Sequence, residues 1–105
     1  MISKSVDKWH TSEYIDFMIF NWNNDKNEWL ISNRGISFEQ AVVAIENGHI
    51  IEIMKHPSLF YPNQFMILLD IDEYVYCIPV VVENDEYFLK TVYPSRKYTK
   101  QYLKK

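Results

Sequence analysis

The sequence predicts an α+β domain: a small antiparallel β-sheet packed against an N-terminal helical pair and a short C-terminal helix. Three observations lead there. Two segments with helix-start and helix-stop residues follow each other at 23–48, divided only by Gly35. Three apolar, β-branched runs then succeed one another at 64–93, separated by short acidic turns. The chain has 105 residues, 48% hydrophobic with only 2 Gly and 4 Pro, which suits one packed core and excludes a disordered or loop-rich scaffold. A single domain over 1–105 is expected, with 1–13 as an arm and 103–105 as a loose tail.

Taken in order, "YIDFMIFNW" (14–22) alternates aromatic and branched residues roughly as a strand does. In "NNDKNEWLISNRG", Asn23 or Asn24 suits an N-cap, Asp25 and Glu28 sit in the positive first turns, and Gly35 is a natural stop. In "ISFEQAVVAIENG", Ser37 and Gln40 have capping-box spacing, Ile36 and Ala41 that of a hydrophobic staple. Phe38, Val42 and Ile45 recur there as a core stripe, and Gly48 ends the run. Trp22 and Trp29 are expected in the core. Pro57 and Pro62 break the stretch after His49 into a short extended piece and a loop. "QFMILLDI", "EYVYCIPVVV" and "EYFLKTVY" then read as a three-stranded meander, turning at Asp72-Glu73 and at "ENDE" (83–86). Pro79 has no N–H for a ladder, so an edge or bulge is expected there. Ser95 caps a last helix, "RKYTKQYL".

Composition removes several classes of chemistry. The one cysteine, Cys77, lies in an apolar run and reads as a buried small hydrophobe. No stretch of about 20 uncharged apolar residues occurs and the N-terminus lacks a secretory pattern, so a cytoplasmic protein without membrane contact is expected. There is no Gly-rich phosphate loop, nucleophile elbow or zinc spacing. His10, His49 and His56 follow no metal pattern, and Asp70, Asp72, Glu73, Glu83, Asp85 and Glu86 read as solvated turn acids. No metal and no cofactor are expected.

What remains is an uneven distribution of charge. Residues 1–86 carry a balance of −9 and residues 87–105 one of +6, within a net charge of −3. Such asymmetry speaks of partners. Lys90, Arg96 and Lys100 are placed to line one edge of the sheet, with Lys97 beside them and Tyr93 and Tyr98 interleaved. Cations at fixed spacing with aromatic faces are what RNA phosphates and unstacked bases require. Arg96, in the first turn of a helix, also opposes the macrodipole, a placement better suited to an anionic ligand than to the helix itself. Cleavage of RNA demands little more, because the neighbouring 2′-hydroxyl can itself attack phosphorus once the nucleotide is held in line.

The run "FNWNNDKNEWLISNRGISFEQA" resembles the front half of BrnT-type toxins of bacterial toxin–antitoxin pairs: an aromatic strand end with Trp, a helix with Lys, a Lys-His-Gly turn and a Val-Ser-Phe-Glu-Glu-Ala helix start. Phe20, Trp22, Lys26, Gly35, Ser37, Phe38, Glu39 and Ala41 hold the matching places without a gap. "LKTVYPSRKYTKQY" is similar to the family's last strand and helix, so the likeness runs from residue 17 to about 102. It implies a RelE/ParE-like fold and a ribosome-independent, metal-independent endoribonuclease of a type II toxin–antitoxin pair, neutralised by a cognate DNA-binding antitoxin, as a homodimer or a toxin–antitoxin hetero-oligomer. Carried over by motif, Lys26, Arg34, Lys90 and Arg96 fall at functional positions. Arg34, Lys90, Arg96 and Tyr93 are the expected catalytic set; Lys26, Lys97, Tyr98 and Lys100 are expected to bind RNA. Arg34 stands where the family has His, Asn33 where it has Lys and Leu30 where Asn is usual, and Lys90 is the only cation of the last strand. An arginine does not give up its proton at neutral pH, so proton transfer would fall to Lys90, Tyr93 or a nearby His. Two other readings stay open: a catalytically silent protein-interaction module of the same fold, and an RNA-binding domain without turnover.

Overall fold

The computed structural model describes residues 19–55 and 63–104. The expected arm, the front of the first expected strand (14–18), His10, His56, Pro57, Pro62 and Lys105 lie outside the described residues. Strand β1 is short, Ile19–Asn21, and leads directly into helix α1, Asn24–Arg34. Of the two cap candidates the structure uses Asn23, whose side chain accepts from Lys26 N at 2.9 Å. Gly35 closes α1 in the left-handed region (φ 68°), with its N–H on the Ile31 carbonyl, a conformation that costs a residue with a Cβ strain.

Helix α2, Phe38–Glu46, opens on the expected capping box. Gln40 N donates to Ser37 Oγ at 3.1 Å, and Ser37 N to Gln40 Oε1 at 2.9 Å. Losing such a cap costs about 1 kcal/mol. A second device, Asn27, joins the two helices. Buried on α1, it accepts from Phe38 N at 2.7 Å and donates to Glu39 Oε1 at 2.8 Å. The side chain thereby satisfies a first-turn N–H that α2 cannot satisfy itself. That bond also holds the Glu39 carboxyl below its ordinary range, with the residue's own backbone N–H helping.

The remaining strands are β2 Ile50–Lys55, β3 Gln64–Ile71, β4 Tyr74–Glu83, β5 Glu86–Leu89 and β6 Tyr93–Pro94. The expected short extended piece after His49 is a six-residue strand, paired with β3 through a one-residue irregularity at Ile50–Glu52. Both hairpin turns place two residues at positive φ, Asp72 and Glu73 (54°, 67°) and Asn84 and Asp85 (50°, 67°). This is the backbone that two-residue hairpin loops need to match strand twist.

The sheet corrects the expectation of a purely antiparallel arrangement. Its order is β1-β5-β4-β3-β2, and β1 runs parallel to β5, with Ile19, Phe20 and Asn21 opposite Glu86, Tyr87 and Phe88. The fold is therefore α+β with a mixed sheet and three helices. The expected continuous last strand is also interrupted. Leu89 pairs Val80 and Tyr93 pairs Cys77, so three residues, Lys90 to Val92, stand opposite two, Ile78 and Pro79. Pro79 thus sits in a central strand, facing the bulge anticipated for it. Its carbonyl accepts from Lys90 N at 2.9 Å, and a strand residue directs its N–H and C=O to the same side. The missing donor of Pro79 therefore points at the bulge, where the ladder is already broken.

Period-two alternation gives the sheet two apolar faces. One buries Ile67, Leu69, Ile78, Val80 and Leu89 against Leu30, Phe38, Ala41, Ala44 and Ile45 of the helical pair. Val42 is half-buried at its margin, and Trp22 stacks on Phe38 at 5.5 Å. Trp29 departs from expectation: it is 44% exposed. The other face carries a smaller core of Leu68, Val75 and the fully buried Cys77, covered by helix α3. That helix begins as an α-turn, Arg96–Tyr98, capped by Ser95, and continues as π-helix, Thr99–Leu103. Leu103, assigned in the sequence to a loose tail, packs into this second core with Tyr98 and Tyr102. Thr99 fastens the helix to the sheet. Its hydroxyl accepts from Val75 N at 2.8 Å and donates to the Ser95 carbonyl at 2.7 Å.

Candidate nucleic-acid interface

Helix α3 covers the Val75–Cys77 end of the second face; toward β1 and the β4–β5 turn that face is open among the described residues. There, Val81 and Phe88 form the floor of a cleft of about 440 Å³. Phe88 is 40% exposed. Glu83, Asn84 and Glu86 stand at one end, Asn21 of β1 beside them, and Lys90 at the other. Asn21 Nδ2 donates to Glu86 Oε1 at 3.1 Å, which fixes one carboxylate oxygen. Among the described residues the Lys90 ammonium forms no ion pair, although two carboxylates line the same cleft.

Lys90 is placed by the bulge, and Arg34 holds the bulge from the other side. The Arg34 guanidinium donates to the Val92 carbonyl at 2.8 Å and to Thr91 Oγ1 at 3.2 Å, and lies over Trp29 at 4.9 Å. Lys26 sits over the same indole at 4.3 Å. Arg34 therefore belongs to the helical-pair side of the sheet, Lys90 to the open face. The two flank the strip 90–92 without sharing a surface.

Tyr93 is half-buried in the second core, with its hydroxyl toward Met66 Sδ at 3.9 Å. Burial, with Cys77 and Tyr98 adding, pushes its phenol above the ordinary value, so at neutral pH it is a proton holder. Tyr98 is turned the same way, its hydroxyl 3.9 Å from Met54 Sδ, while Lys97 lies over its ring at 5.4 Å. Both tyrosines spend their rings on packing α3. Arg96, Lys97, Lys100 and Lys104 remain exposed along the outer side of that helix, and no carboxylate occurs after Glu86.

The expected site residues thus fall into three groups: an α1 cluster of Lys26 and Arg34 on Trp29, the open-face Lys90, and the α3 cations beginning at Arg96. Sequence reasoning missed Phe88, Glu86 and Asn21. Phe88 could have been found, since it lies two residues before Lys90 on one strand face; Asn21 could not, because only the parallel pairing of β1 brings it there. A second depression of about 450 Å³ beside His49, Asp70, Asp72 and Glu73 carries no Lys or Arg among the described residues, and its acids repel phosphate. Among the described residues no set of three His, Cys, Asp or Glu side chains is grouped as metal ligands. No helix among them is long and apolar enough to cross a membrane.

No protein-family model matches the chain, and comparison with curated proteins gives no match. The likeness to BrnT-type toxins rests on the residues quoted above.

Proposed function

We propose that the protein is a RelE/ParE-like toxin of a type II toxin–antitoxin pair that cleaves single-stranded RNA without a metal. The observation that carries this reading is the acid-free cationic run from Lys90 to Lys104, whose Lys and Arg side chains are exposed while its tyrosines turn inward. Arg96 holds the scissile phosphate, Lys90 on the open face binds a neighbouring one, and Lys97 and Lys100 extend the track for the backbone. The 2′-oxygen bonds to phosphorus as the P–O5′ bond breaks. The 2′-hydroxyl proton passes to solvent and O5′ takes one up, leaving a 2′,3′-cyclic phosphate and a 5′-hydroxyl. Arg34 acts from behind, holding the 90–92 strip in place.

The test is a cleavage assay on single-stranded RNA in EDTA with the products' ends identified. Cyclic-phosphate ends are expected, and Arg96→Ala should lower the rate by about 10²–10³-fold at unchanged far-UV circular dichroism. Intact RNA after prolonged incubation rules the enzyme out.

One observation favours a second reading, the catalytically silent interaction module. Arg34 and Tyr93, two of the four expected catalytic groups, are engaged in holding the fold. A tight complex with the product of a neighbouring gene, and no growth effect of wild type or Arg96→Ala on overexpression, would mark that case.

A further inference from the structure

We infer that the Phe88 cleft is a base-recognition subsite selective for guanine in single-stranded RNA; this rests on the RNA-directed reading above and adds to it the base that is chosen.

Three side chains in a row along one face of the chain at 86–90 supply the three parts of a nucleotide site. Phe88 presents an exposed ring on an open sheet face, the kind of platform on which an unstacked base lies. Two residues earlier, Glu86 presents a carboxylate held by Asn21. A carboxylate only accepts hydrogen bonds. Among the four bases only guanine offers two adjacent donors, N1–H and the N2 amine, along its Watson–Crick edge. Adenine and cytosine present an unprotonated ring nitrogen there, and uracil flanks its one N–H with two carbonyls. Two residues beyond Phe88, the exposed Lys90 ammonium supplies the cation for the adjoining phosphate.

The dimensions agree. From Glu86 to Lys90 the strand advances roughly 13 Å at about 3.3 Å per residue, enough for one nucleotide laid from base edge to phosphate. A cleft of about 440 Å³ has room for a nucleotide. Charge sets the direction: Glu83 and Glu86 repel phosphate from the turn end, so the backbone must run past Lys90, which is also the side leading to the cations of α3.

The test is fluorescence anisotropy of the full chain with 2′-O-methyl uridine hexamers, which resist cleavage, carrying one guanine, inosine or adenine. Guanine should bind tightest. Inosine, which lacks the N2 amine, should bind several-fold more weakly, and adenine on the order of tenfold more weakly than guanine. Glu86→Gln should erase the ranking, Phe88→Ala should weaken all three alike by about tenfold, and Lys90→Ala should reduce the salt slope by about one. Equal affinity for all three hexamers with wild type, a ranking that survives Glu86→Gln, or a ranking that Phe88→Ala leaves at full affinity each overturns the guanine subsite while leaving the RNA reading intact. If no hexamer binds at all, the RNA reading falls and the subsite with it.

Discussion

Arg34 and Val92, far apart in the chain, are joined by a charged hydrogen bond of 2.8 Å. It links the last turn of α1 to the bulge opposite Pro79, and so couples the position of Lys90 to the helical layer. Val92 is fully buried, so removing the side chain takes this donor from a buried carbonyl, at a cost of about 1–3 kcal/mol. Arg34→Lys keeps the charge but loses the planar group that lies over Trp29 while its Nη1 serves both Val92 and Thr91. It should lower the urea midpoint nearly as much as Arg34→Ala. A midpoint unchanged in both variants would show that the bond contributes nothing to the fold.

Thr99 is the corresponding fastening on the other face. Thr99→Val has nearly the same shape but leaves the buried Val75 N–H without its acceptor. A loss of about 1–3 kcal/mol follows, seen as a lower urea midpoint, while Thr99→Ser should stay close to wild type. Equal midpoints for the Val and Ser variants would show that the hydroxyl is dispensable.

The Asn27 bridge predicts an acid dependence. The Glu39 carboxyl ionises below its ordinary range in the folded chain, chiefly because Asn27 donates to it. Stability from that bond is therefore fully present above the unfolded-state value and is lost as pH falls through the lowered folded one. Urea midpoints of wild type and Glu39→Gln should converge as the pH drops below about 4. Parallel curves across that window would show that the bridge is not charge-assisted. Asn27→Ala should be worse than Glu39→Gln at every pH, since it also strips the Phe38 N–H.

Cys77 is fully buried, and burial pushes its thiol above the ordinary value. Ellman's reagent at neutral pH should find no reactive thiol in the native chain and one equivalent after unfolding in guanidinium. Rapid labelling without denaturant would mean that α3 leaves the sheet far more readily than its packing implies.

The helical pair was legible because its signals are local: Asn23, Ser37, Gln40 and Gly35 act within one turn of their own positions. The hairpins were legible for the same reason. What escaped depends on residues distant in sequence. The parallel partner of β1 needs a crossover through the whole domain, and a three-residue strand leaves little pattern of its own. Pro79 signalled a bulge, but whether the bulge lay in its own strand or the neighbouring one depends on which side of β4 lacks its donor. For the site, residue types at 90 and 96 were readable, but the use made of Arg34 was not, because a guanidinium serves a backbone carbonyl as readily as a phosphate. Trp29 was misplaced because an indole in contact with two cations can stay at the surface with its ring in use.

The parallel seam between Ile19–Asn21 and Glu86–Phe88 imposes an order of assembly. During synthesis β1 must wait, unpaired, until its partner β5 has been made, after β2, β3 and β4, and joining it closes the longest loop between paired strands among the described residues. The Phe88 cleft borrows its Asn21 wall from that late event. A nascent chain can therefore finish its helices and its meander while the surface offered to a ligand is still missing a side, and competence arrives last.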